Sequence, residues 1–158
     1  MTAIKTTEAD LLARDVRIAI VAARFNGLVV DRLIEGAIDA LIRHGASDKS
    51  LELVRVPGAF EMPLVVKKLA QSRRFDAIVA LGAVIKGDTA HFDFVAGECT
   101  SGCARAGLDA GVPIGFGVLT CDSMEQALDR AGGKAGNKGA EAALAALEMA
   151  NLLKRLDA

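Results

Sequence analysis

The stretch Gly82-Ala83-Val84-Ile85-Lys86-Gly87-Asp88-Thr89-Ala90-His91-Phe92 brings an apolar run to a stop in two glycines, a threonine and a histidine. Those residue types suit an anion site with a proton shuttle beside it. Gly87 lets backbone approach a phosphate, and Thr89 is predicted to cap the following helix, so that its hydroxyl and the first free N–H groups face the strand end. His91, in the first turn, then places a group that exchanges protons near neutral pH next to the anion. As anonymous sequence the same residues also allow a plain helix cap and a solvated histidine.

The elements around this stretch predict how it is held. Val16 to Ala23 is a short apolar run of strand length, and Val29 to His44 puts Val30, Ile34, Ala37, Ile38 and Leu41 on one helical face. Ser50 to Val56 alternates and stops at Pro57-Gly58, and a helix follows from about Ala59 with Pro63 in its first turn. Ala77 to Ile85 is apolar almost throughout, the pattern of a central parallel strand covered on both faces. A third helix is expected from Thr89 to Ala110, a fourth strand from Val112 to Leu119, a helical region from Ser123 divided by Gly132-Gly133 and Gly136, and a last helix from about Asn137 to Arg155. Strands alternating with helices imply a three-layer α/β/α sandwich around a four-stranded parallel sheet.

In such a sheet the residues that follow each strand meet at one edge. Here those places hold Arg24-Phe25-Asn26, Gly58-Ala59-Phe60-Glu61, Val84 through His91, and Phe116 through Thr120. An aromatic, a carboxylate, an anion loop and a histidine together suit a flat polar ring joined to a phosphate-bearing partner, although Phe25 and Phe60 also read as core residues. Gly132 to Gly139 lacks P-loop spacing, and Gly115-Phe116-Gly117 lacks the third glycine of a dinucleotide fingerprint.

Composition narrows the classes. One domain of 158 residues is expected, with 1–13 as a flexible N-terminal segment. The net charge of −1, the absence of Trp and Tyr, and basic runs no longer than Lys67-Lys68 or Arg73-Arg74 argue against a nucleic-acid partner. No run approaches the ~20 apolar residues of a membrane span, and the acidic residues Glu8, Asp10 and Asp15 argue against a signal peptide, so a cytoplasmic protein is expected. A mean hydropathy of +0.34 is high for a monomer and points to apolar surface between subunits. Cys99, Cys103 and Cys121 offer too few ligands for a metal site and read as buried reduced thiols.

Five segments resemble the 6,7-dimethyl-8-ribityllumazine synthase family in order and spacing: Ala23-Arg24-Phe25-Asn26, Pro57 through Pro63, Gly82 through Phe92, Phe116 through Thr120, and Arg130 through Gly139. The resemblance covers about residues 14 to 155 and implies a flavodoxin-like fold. It also implies the penultimate step of riboflavin synthesis, in which 5-amino-6-(D-ribitylamino)uracil condenses with 3,4-dihydroxy-2-butanone 4-phosphate, with no metal and no organic cofactor. By motif, Phe25 would stack on the pyrimidine, Ala59, Phe60 and Glu61 with Ala83, Val84 and Ile85 would hold the ring and the ribityl chain, and Phe116 would close the pocket from a neighbouring subunit.

Asp88, Thr89 and Arg130 would surround the phosphate, the Asp88 backbone N–H binding with its carboxylate turned away, and His91 would move protons. Lys134 and Lys138 assist at the phosphate or ribityl chain, or are solvated lysines of a surface loop. The family forms homopentamers with sites shared between subunits, some members closing twelve pentamers into an icosahedral 60-mer, and passes its product to riboflavin synthase. Ala140 departs from the family, which often has an aromatic such as Trp there. Three rival readings are a non-catalytic lumazine- or flavin-binding protein, a scaffold paralogue, and a Schiff-base lyase using Lys86.

Overall fold

The computed structural model describes residues 3–158. Four strands, β1 (Ile18–Ala23), β2 (Leu51–Val56), β3 (Ala77–Ile85) and β4 (Ile114–Cys121), form a parallel sheet in the order β2-β1-β3-β4. Both inner strands are apolar along almost their whole length. All six residues of β1 and eight of the nine in β3 are buried, as strands covered on two faces must be. At one edge β2 alternates and buries only Val56.

Helices α1 (Gly27–Arg43) and α5 (Lys138–Asp157) pack together on one face, and α2 (Met62–Gln71) and α3 (His91–Ala110) on the other. Each face has its own apolar cluster. Ile18, Ile20, Val79 and Leu81 join α1 and α5, while Ala19, Val21, Ile78 and Ala80 join α2 and α3. This is the three-layer flavodoxin-like arrangement expected from the sequence.

Glycines set how close α5 comes. A Cβ at Gly115 of β4 would lie 2.1 Å from the Ala142 carbonyl oxygen, and one at Gly139 would lie 2.1 Å from that of Leu33 in α1. The glycines that look like interruptions of β4 are therefore what lets a helix lie directly on it. Alanines at 142, 143, 146 and 150 complete the contact.

The region after Ser123 departs from the expected divided helix. Ser123 does cap α4 (Met124–Arg130), accepting the Gln126 N–H at 3.2 Å, but a small antiparallel hairpin follows, β5 (Ala131–Gly133) and β6 (Gly136–Asn137). Gly132 and Gly136 take φ of +108° and +81°, so the run of glycines makes a turn and not a broken helix. Within the segment expected to be flexible, residues 1 and 2 lie outside the described residues. Asp10 and Leu12 accept hydrogen bonds from Asn151 of α5, and the Asp10 carboxylate pairs with Arg155 at 3.1 Å. No helix among the described residues is long and apolar enough to cross a membrane.

Candidate active site

A parallel sheet in this order sends its chain one way from β1 to β2 and the other way from β3 to β4. The C-terminal ends of β1 and β3 therefore border a crevice between the two crossovers. A cleft of about 180 Å³ lies there. Its floor is Ala83, Val84 and Ile85, its walls include Phe25, Asn26 and Ala59, and Gly87, Thr89 and His91 close it on the α3 side with Phe92 and Val95.

Hydrogen bonds to neighbouring strands fix the wall. The Arg24 N–H donates to the Val56 carbonyl at 2.8 Å and the Phe25 N–H to that of Pro57 at 3.1 Å, so β1 stays paired past its end. Asn26 then turns into the left-handed region at φ 60°, ψ 44°, and its Nδ2 donates to the Ala83 carbonyl at 2.8 Å. Phe25 is left 72% exposed, a large ring standing over an open cleft. From sequence alone Asn26 carries no assigned task. Its signal was there, because an Asn between a strand end and a helix is a residue type that tolerates the left-handed turn and can bridge backbone groups.

On the α3 side, Thr89 does not cap the helix as expected. The helix begins at His91, and Ala90 before it is already right-handed. Thr89 Oγ1 instead accepts the His91 N–H at 3.3 Å, which still fixes the first turn relative to the loop. His91 is the titratable side chain lining this cleft. Asp88 sits exposed on the loop and Phe60 and Glu61 on the one-turn 3-10 helix Ala59–Glu61; Ala59 alone of that turn faces in.

Phe116 and Arg130 line a different cleft. It runs along the unpaired edge of β4 from Phe116 to Cys121, faced by Lys138, Glu141, Ala142 and Ala145 of α5, and shares no residue with the first. Arg130 ends α4 and donates from Nη1 to the Gln126 carbonyl at 3.0 Å. Burial pushes the Cys121 thiol above its ordinary value, against the pull of the Arg130 guanidinium and with Asp122 adding to the rise. Lys138 pairs with Glu141 at 3.2 Å inside this cleft. Lys134 is apart from both clefts, 84% exposed and 3.9 Å from the Asp129 carboxylate.

Cys99 and Cys103 are buried on α3 and share a hydrogen bond that, with burial, pushes the Cys103 thiol up. Among the described residues no group of three or more His, Cys, Asp or Glu could hold a metal.

The strand-end chemistry has a counterpart in known proteins. Residues 15–154 match the model of the 6,7-dimethyl-8-ribityllumazine synthase family. The chain is 58% identical over 155 residues to a 6,7-dimethyl-8-ribityllumazine synthase of Halorhodospira halophila, with 98% of this chain and 99% of that protein covered. It is 59% identical over 156 residues to one of Nitratidesulfovibrio vulgaris strain DP4, covering 99% and 100%. A full-length match at this identity makes the chain a member of the 6,7-dimethyl-8-ribityllumazine synthase family.

Proposed function

We propose that the chain condenses 5-amino-6-(D-ribitylamino)uracil with 3,4-dihydroxy-2-butanone 4-phosphate to give 6,7-dimethyl-8-ribityllumazine, releasing phosphate and water. The observation that carries this reading is the composition of the first cleft: an exposed phenylalanine over an apolar floor, with one imidazole at the rim. A flat pyrimidine stacks on such a wall, with Ala59, Ala83, Val84 and Ile85 beneath it and Phe60 and Glu61 at the margin.

The 5-amino group attacks the ketone, water leaves as the imine forms, phosphate is eliminated, and the ribitylamino nitrogen closes the ring with loss of a further water. Each step moves a proton, and His91 moves it. The nucleophile comes from the substrate, so holding the two reactants together supplies most of the acceleration. Lys86 does not line the cleft, which leaves the Schiff-base reading without support, and a non-catalytic binder has no use for the imidazole.

The phosphate is held by Thr89 and the Asp88 N–H on one side and by Arg130, with Lys138, on the other. On this reading Phe116 and Arg130, which line a cleft of their own on this chain, complete the first cleft of a second copy in a homopentamer with shared sites. A cytoplasmic location, closure of pentamers into a shell, and transfer of product to riboflavin synthase belong to the same reading.

The test is incubation of the purified protein with both substrates under anaerobic conditions, following the fluorescent lumazine. Wild type forms product and His91→Ala forms it on the order of 100-fold more slowly, with residual turnover from binding alone. No product from wild type, together with tight binding of the ribitylaminouracil, would replace the synthase reading with the binding-protein one.

A further inference from the structure

The β5–β6 hairpin carries Arg130 just before its first strand and Lys138 just after its second. Apart from Asn137 its two strands hold only Ala131, Gly132, Gly133 and Gly136, and of these Ala131 alone is buried in the core. One side chain ties it down. Asn137 Nδ2 donates to the Arg32 carbonyl of α1 at 3.0 Å, while its Oδ1 accepts the N–H groups of Gly139 at 2.8 Å and Ala140 at 3.1 Å. The carboxamide fills the space over Gly36, where a Cβ would lie 2.4 Å from its Cγ, Oδ1 and Nδ2. Ala131, the neighbour of Arg130, pairs with Asn137 across the hairpin.

We infer that Asn137 is a positioning residue for phosphate binding: it pins the hairpin to α1 and so sets where Arg130 and Lys138 present their charges. This rests on the reading of Arg130 as a phosphate ligand. The amide acts twice, since capping α5 needs only its oxygen and fastening the hairpin to α1 needs its nitrogen. A serine at 137 keeps an acceptor for the cap and is one bond too short to reach the Arg32 carbonyl.

Steady-state kinetics of Asn137→Ser and Gly36→Ala, with KM measured separately for the two substrates and Arg130→Ala as reference, test the assignment. Gly36→Ala removes no polar group and displaces the Asn137 carboxamide from the other side, and the clash is with the end of a side chain, so the backbone need not move. Both variants are expected to raise KM for the phosphorylated ketone about five- to tenfold, the size of one lost hydrogen bond, and to leave KM for the ribitylaminouracil within about twofold. If Asn137→Ser does not fold, Gly36→Ala gives the same readout. Equal changes in both KM values, or a fall in kcat alone, beside an Arg130→Ala variant that is selectively impaired for the phosphorylated ketone, would overturn the positioning role and leave Arg130 in place. An Arg130→Ala variant without that selectivity would remove the phosphate reading and this inference with it.

Discussion

The two clefts differ in what holds their walls. The first is built on β1 and β3, whose residues are buried almost without exception, and its aromatic wall is fastened by backbone bonds to β2 and by Asn26 to β3. The second lies on an edge strand, against a helix brought close by glycines, and its cations hang from a two-strand hairpin. The ring-binding half of the site is thus part of the hydrophobic core's own geometry. The charged half depends on close approach and on a few hydrogen bonds.

The largest effect expected from breaking this contrast is at Gly115. A valine there would put its Cβ at 2.1 Å from the Ala142 carbonyl oxygen, so α5 must lift from β4. Gly115→Val is expected to cost about 3 kcal/mol or more and to leave little folded protein, as circular dichroism through a thermal ramp would record. A two-state transition near the wild-type midpoint would show that α5 can retreat without loss.

Asn26→Ala strikes the first cleft. It leaves the Ala83 carbonyl without its donor and puts alanine in a left-handed turn, a loss of about 1–3 kcal/mol by urea unfolding, with weakened binding of the ribitylaminouracil. Asn26→Gly should recover part of the stability and none of the binding. Equal stability of the two variants would mean that the hydrogen bond, and not the backbone, carries the whole effect.

Behind that cleft, the Cys103 thiol sits above its ordinary value of 9.0 because of its hydrogen bond to Cys99 and its burial. A raised folded-state pKa stabilises the fold fully below the unfolded value and loses that contribution as pH rises beyond it, since only the unfolded chain then gives up the proton. The same hydrogen bond holds the Cys99 thiol down, so the thermal midpoint should fall more steeply above about pH 9 in wild type than in a variant carrying both Cys99→Ala and Cys103→Ala. Parallel slopes would remove the thiol pair as the cause.

The smallest effect sharpens the contrast between two lysines. Lys134→Ala, at a side chain 84% exposed and outside both clefts, should leave kcat and both KM values within about twofold, because exposed ion pairs contribute little. Lys138→Ala should raise KM for the phosphorylated ketone several-fold. A Lys134 effect of equal size would place the hairpin tip over the phosphate.

Much of this was legible in the chain before any fold was known. The run Ala77 to Ile85 declares β3 because a strand buried on both faces needs no polar residue, and the strand-end rule then gathers Phe25, Ala59, Val84 and His91. The hairpin was not legible, because glycine has no preference by which two- and three-residue strands could be recognised. Phe60 and Glu61 show what sequence leaves open: a tight 3-10 turn sends successive side chains in different directions, and of the three residues Ala59 alone lines the cleft on this chain. The separation of Arg130 from His91 was hidden too, since strand order places residues at an edge but not on one side of it.

The aromatic wall of the first cleft is phenylalanine, and the chain has neither Trp nor Tyr. To near-ultraviolet light the protein is therefore almost transparent. Whatever absorbs or fluoresces there when a pyrimidine or lumazine occupies the cleft belongs to the small molecule, so the site's occupancy can be read from its ligand's own colour without any label on the protein.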